Sequence, residues 1–241
     1  MIRVLSLMAS ETRNPFSRML GTAAAAAAAA RSFFRGGRDP LIDADQAAAL
    51  AGVDKRRWST QLLKQLEWRR FEELCVAYFQ ARGYKASVER SGTHAGIDIH
   101  LSAQGAEQAS LVVQCKAWDA YRIGIKAARA LQAAMAAAGL AEGVLVTAGR
   151  FTQEAADYAR LQKIRLIDGA GLLAAIAALP PETALALLKF ATQGDFLTPT
   201  CPSCALKMIS RQSTRHGRKF WGCRNYPRCK QIFSGAAHAP A

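Results

Sequence analysis

The chain has 241 residues, a formal net charge of +14 and a pI near 10.0, a balance that points to a polyanionic partner, either nucleic acid or an acidic membrane surface. That length is enough for one full α/β domain plus a small module, its 51% apolar content can bury a core, and no apolar run approaches the ~20 uninterrupted residues of a membrane span. The charge is unevenly placed. Residues 41–198 carry 18 Lys/Arg against 16 Asp/Glu, whereas the chain after Pro199 holds eight cations and no acid.

In chain order, residues 1–37 are rich in Arg, Ala and Ser, with an alanine run at 23–30. That composition is similar to a transit peptide. A short alanine helix without tertiary contacts is marginal, so residues 1–40 read as a disordered basic leader. A weak helical segment covers 43–58. Ser59-Thr60 can cap one long helix with the stripe Leu62, Leu63, Leu66, Phe71, Leu74, Cys75 and Tyr78, closed by Arg82-Gly83. A first strand covers 84–89 and a loop 90–95. Beyond the centre of the chain come a helix over 123–138 and a continuous apolar strand Gly143-Val144-Leu145-Val146-Thr147. Such a strand is buried on both faces. A helix capped by Thr152, a strand at Ile164–Ile167, a helix from Asp168-Gly169 to Leu179 and one from Pro180-Pro181 to Phe190 follow. Residues 193–198 read as a linker. Strand and helix alternate, which implies a mixed sheet with helices packed on it.

The central stretch carries the chemistry. Gly96-Ile97-Asp98-Ile99-His100-Leu101 and Leu111-Val112-Val113-Gln114-Cys115-Lys116-Ala117 both alternate with period two, as half-buried strands do. Residues 102–110, with Gly105, make a connection short enough for a hairpin. Pairing the two strands would bring Asp98, Gln114 and Lys116 onto one face, a carboxylate, an amide oxygen and an ammonium suited to a metal and a phosphate. His100 shares that face. Glu72 falls away from the Phe71, Leu74 and Cys75 stripe, and so looks either toward the sheet or toward solvent.

These residues resemble the PD-(D/E)xK nuclease core in its Q-x-K form, and their surroundings resemble the Mrr-type restriction endonuclease catalytic domain. The resemblance rests on Phe71-Glu72-Glu73-Leu74 with Ala81-Arg82-Gly83-Tyr84, on Ala95-Gly96-Ile97-Asp98, and on Val146-Thr147, Phe151-Thr152 and Ile167-Asp168-Gly169. His94 departs from it, standing where that family often has an additional Asp. The resemblance implies a restriction-endonuclease-like α/β fold over 41–192, a mixed sheet flanked by helices. It also implies Mg²⁺ or Mn²⁺ on Asp98 and the Cys115 carbonyl, Lys116 positioning the attacking water, Gln114 supplying a neutral oxygen, and Glu72 as an extra carboxylate. Ser91, Thr93 and His94 would lie on a loop near the phosphate.

In the tail, Cys201-Pro-Ser-Cys204 is followed by Cys223 and Cys229. Paired cysteines on two tight turns suit one tetrahedral zinc, which must supply much of the folding energy of so small a segment, 199–235. His216 is an alternative ligand, though four thiolates already close the site. Cys75 and Cys115 read as buried thiols, so the cysteines imply a reducing compartment. Cys201-Pro202, Met208, Arg211, Phe220-Trp221-Gly222-Cys223 and Tyr226-Pro227-Arg228-Cys229 resemble the C-terminal zinc ribbon of bacterial type I topoisomerases, which implies a nucleic-acid contact. Trp221 and Tyr226, among Arg211, Lys219, Arg224 and Arg228, suit base stacking in a cationic groove. At least one ring, Phe220 first, should instead pack around the zinc.

The expectation is therefore a metal-dependent DNA endonuclease of the restriction or repair kind. It would act on double-stranded DNA at the central domain and hold single strands at the ribbon. The alternative is a non-catalytic DNA-binding protein on a degenerate nuclease fold. A bacterial cytoplasmic, nucleoid-associated setting, no membrane association, an open question of homodimerisation and a disordered tail at 236–241 complete the reading.

Overall fold

The computed structural model describes residues 51–90, 97–103, 109–117, 122–215 and 217–233, with backbone alone at 89, 90, 97 and 98. The expected leader, the loop residues Ser91, Thr93 and His94, the alternative ligand His216 and the tail 236–241 lie outside the described residues.

Helix formation begins at Ser59, whose hydroxyl accepts the Leu62 N–H (3.0 Å) and caps α1, Thr60–Gln65. The expected long helix is in fact two. The chain turns extended at Leu66 and Glu67, and α2, Trp68–Ala81, starts afresh with Glu67 as its cap. The Glu67 side chain accepts the Arg69 N–H (3.0 Å), and its own N–H reaches the Phe196 carbonyl (2.8 Å). A partner 129 residues away in sequence, by the numbering of those two residues, breaks the helix, and helical periodicity carries no trace of it.

A five-stranded sheet follows in the order β1-β2-β3-β5-β7, built from Tyr84–Arg90, Ile97–Ala103, Leu111–Lys116, Gly143–Thr147 and Ile164–Ile167. The first three strands are antiparallel, and β3, β5 and β7 are parallel. Between them lie α3, Ile125–Ala137, and α4, Gln153–Leu161; α5, Gly169–Ala177, and α6, Pro181–Ala191, follow β7. Two short strands not foreseen from sequence, β4 (Arg122–Ile123) and β6 (Arg150–Phe151), pair with each other outside the main sheet.

The sheet is covered on both faces. Ile99, Leu101, Val113, Cys115, Val144 and Val146 pack with α2, α5 and α6 residues such as Phe71, Leu74, Cys75, Ile176 and Leu188. Val112, Leu145 and Ile164 pack on the other side with Ala128, Leu131 and Met135 of α3. Period-two alternation thus sorts two cores rather than a core and a solvent face. Gly169 marks a close approach: a Cβ there would lie 2.4 Å from the Ala148 carbonyl oxygen.

The segment after α6, read from composition as a linker, is packed. Phe196 is fully buried, and the Asp195 carboxylate folds the turn by accepting the Leu197 and Thr198 N–H groups (3.2 and 2.9 Å). The tail then forms β8, Ile209–Gln212, β9, Lys219–Gly222, and β10, Ile232–Phe233, a three-stranded sheet in the order β10-β9-β8. Among the described residues no helix is long and apolar enough to cross a membrane.

Candidate nuclease and zinc sites

The hairpin expected from alternation forms, and its register sets Asp98 opposite Gln114 and His100 opposite Val112. On the other side of β3, Gln114 pairs with Leu145 and Lys116 with Thr147. The backbone therefore gathers Asp98, Gln114, Lys116 and Thr147 at one end of the sheet. The side chain of Asp98 lies outside the described residues.

Gln114 is buried (4% exposed) and Lys116 half-buried, so this part of the strand is sheltered rather than solvent-facing. Among the described residues no donor bonds the Gln114 Oε1, although the residue has a further interaction. Thr147, which enters the sequence pattern only as a landmark, is buried and donates its hydroxyl to the Lys116 carbonyl (2.9 Å) while accepting the Gly149 N–H (3.1 Å). It ties the end of β3 to the turn after β5. Alternation alone could have flagged it, as a polar residue ending an otherwise apolar strand.

Glu72 enters from α2. It is 4% exposed, which disposes of the solvated alternative. α2 packs on the face of Val113 and Cys115, opposite the Val112 and Leu145 face, so Glu72 approaches β3 from the other side of the sheet. Its charge is felt at Cys115. The Cys115 thiol is held well above its usual range, first by the Cys75 thiol and by burial, with the Glu72 charge adding to the rise and Lys116 opposing it. This thiol stays protonated and is not a nucleophile. His100 is half-buried, and its carbonyl accepts the Ser87 hydroxyl (3.4 Å).

The donor set offered by Asp98, Gln114 and the Cys115 carbonyl consists of hard oxygens, the kind that Mg²⁺ and Mn²⁺ take. It fits such an ion by chemistry.

In the tail the fit is geometric. The ligand atoms of Cys201, Cys204, Cys223 and Cys229 all lie within 4.8 Å of one another, with Cys201–Cys229 at 3.6 Å and Cys204–Cys223 at 3.2 Å. A tetrahedron with Zn–S near 2.3 Å has S–S edges of about 3.8 Å. The first knuckle is closed by Cys201 N–H to the Leu206 carbonyl (2.8 Å), the second by Cys223 N–H to the Gln231 carbonyl (2.9 Å). Burial pushes the Cys223 thiol up to about 12, so a bound metal must displace its proton.

The aromatic assignments need one correction. Trp221, expected to stack on bases, is 5% exposed and packs with Cys201, Met208 and Cys223 in the ribbon core, while Phe220 is only half-buried. A buried indole offers no face to a base. In β9, Phe220 pairs with Arg211 and Trp221 with Ser210, so one residue of register decides which ring goes inward. Tyr226 is 60% exposed, and the Arg211 guanidinium lies over its ring at 5.6 Å. Arg211, Lys219, Arg224 and Arg228 are exposed.

The fold defines a mixed α/β domain joined to a small module with a four-cysteine cluster. Residues 63–176 match the family described as restriction endonuclease, of the Mrr catalytic type, and residues 198–234 match the topoisomerase DNA-binding C4 zinc finger. The chain thus carries an Mrr-type restriction endonuclease domain and a C-terminal topoisomerase-type zinc finger.

Among solved structures it is similar to the MspJI restriction endonuclease in complex with a 27-mer oligonucleotide (18% identity, TM-score 0.37, covering 68% of this chain and 39% of that one). It is also similar to the DNA modification-dependent restriction endonuclease AspBHI (16% identity, TM-score 0.40, covering 65% and 44%). It spans about two fifths of the length of these structures. No curated protein matches the chain.

Proposed function

We propose that the protein is a metal-dependent DNA endonuclease that hydrolyses phosphodiester bonds, with the central domain acting on double-stranded DNA and the ribbon holding nucleic acid nearby. The observation that carries this reading is the strand register. It sets Asp98 opposite Gln114 and two residues from Lys116, at the sheet end where Thr147 fixes the backbone.

In this reading Asp98 and the Cys115 carbonyl hold Mg²⁺ or Mn²⁺, with Gln114 as a neutral oxygen. When bound, such an ion polarises the phosphoryl group and acidifies water. Lys116 orients the attacking water and offsets the charge that builds on the phosphoryl oxygens. Its sheltered position strengthens that interaction, because less water competes for the ammonium. Glu72, which comes from the α2 face behind β3, adds a buried negative charge there rather than a ligand beside Asp98.

Gln114 favours one alternative, a DNA-binding protein without turnover. An amide in place of a carboxylate leaves the metal site one charge short. Incubation with methylated and unmethylated plasmid, in Mg²⁺ and then Mn²⁺, separates the two. Cleavage lost on Asp98→Ala supports the nuclease. Binding without cleavage of either plasmid in both metals supports the alternative. The restriction kind predicts a difference between the plasmids, and the repair kind predicts none.

A further inference from the structure

The first knuckle of the zinc ribbon is gripped by a buried carboxylate of the nuclease domain. Glu67, 3% exposed, sits at the N-terminus of α2. One of its oxygens accepts the Thr200 hydroxyl (3.0 Å) and the Lys207 ammonium (3.3 Å); the other accepts the Thr200 N–H (3.2 Å) and the Arg69 N–H (3.0 Å). Three of these four donors belong to the ribbon. The Trp68 indole N–H donates to the Thr200 carbonyl (2.7 Å), and Lys207 also donates to the Thr198 carbonyl (2.9 Å).

Thr200 and Lys207 pair with each other as a β-bridge flanking Cys201 and Cys204. The residues that satisfy Glu67 are therefore those that bracket the first pair of metal ligands. A buried carboxylate stripped of most of its donors is costly to keep in place.

We propose that Glu67 is a positioning residue that couples the zinc module to the nuclease domain. Zinc holds the knuckle that presents Thr200 and Lys207; Glu67 transmits that order to the first turn of α2, the helix that carries Glu72. Coupling of this kind is reciprocal: losing the metal loosens α2, and losing the Glu67 carboxylate weakens the metal site. The contacts between the modules carry this coupling whether or not the protein cleaves DNA.

The test uses the full-length protein with zinc and after removal of zinc by a chelator. It follows backbone amide exchange in α2, thermal unfolding, and zinc affinity by competition with a chromophoric chelator. In the wild type, chelation should speed exchange at Arg69 and its neighbours at least tenfold and lower the melting of the nuclease domain by roughly 5 °C or more.

Glu67→Ala should weaken zinc binding by about tenfold and make the α2 amides insensitive to chelation. Should Glu67→Ala fail to fold, Lys207→Met supplies the same comparison from the ribbon side: it keeps the apolar stem, removes the ammonium, and should shift zinc affinity and α2 exchange in the same direction. Exchange in α2 unchanged by chelation of the wild type, or zinc affinity unchanged in both variants, overturns the proposal.

Discussion

The Thr147 hydroxyl donates to the Lys116 carbonyl across 2.9 Å, joining the last residue of β3 to the last residue of β5. That bond holds the main chain from which the Lys116 side chain projects. Thr147→Val keeps the shape and removes the hydroxyl. The part-buried Lys116 carbonyl and the Gly149 N–H both lose a partner, so stability should fall by about 1–2 kcal/mol. Cleavage should fall further than the stability loss explains, because the Lys116 backbone is no longer fixed. Denaturant unfolding and cleavage rates on the same preparations check this. A rate that falls only as far as the folded fraction assigns Thr147 a purely structural role.

For the chemistry, Asp98→Ala and Lys116→Ala are each expected to abolish cleavage and leave DNA binding largely intact. Gln114→Glu restores a carboxylate opposite Asp98 and should retain activity with tighter Mg²⁺ binding. Metal titration of the cleavage rate, alongside equilibrium DNA binding, reads both effects. Wild-type cleavage by Lys116→Ala would refute the assigned role of Lys116.

Gly169 is required by space. A methyl group there would sit 2.4 Å from the Ala148 carbonyl oxygen, and backbone cannot step aside as a flexible side chain can. Gly169→Ala should cost about 1–3 kcal/mol through forced displacement of the turn. Thermal melting of this variant against wild type gives the measurement. An unchanged midpoint would show that the turn has room to move.

On the ribbon, burial changes what each aromatic substitution tests. Trp221→Ala hollows the small core around Cys201, Met208 and Cys223, so it should release zinc and unfold the module. Tyr226→Ala, at an exposed ring, should weaken single-strand binding with little effect on its salt dependence, since stacking is not electrostatic. Neutralising Arg211, Lys219, Arg224 and Arg228 together should flatten the slope of log K against log salt, by close to one unit for each phosphate that is no longer neutralised. An unchanged slope would place the DNA on the central domain. These substitutions are a cleaner test than deleting the tail, because deletion strips Glu67 of its Thr200 and Lys207 donors.

The features legible in the residues alone are local ones. Alternation located β2 and β3 and put Asp98, Gln114 and Lys116 on one face, since a slip of one residue would put the apolar side chains of β2 on the wrong face. A continuous apolar run marked β5, capping residues placed the starts of α1 and α4, and cysteine spacing located the metal module.

Packing settled the remaining features, because each depends on atoms far away in the chain. Periodicity could not aim Glu72; the packing of α2 on the Cys115 face buries it. Composition made 193–198 look like a spacer, yet Phe196 is buried and takes the Glu67 N–H. The aromatic pattern of the ribbon did not say whether Phe220 or Trp221 faces the thiolates; pairing of β8 with β9 settles that. Nothing in the helical stripe around it singles out Glu67. Only the return of the chain at Thr200 and Lys207 supplies the donors that let its carboxylate be buried, end one helix and start the next.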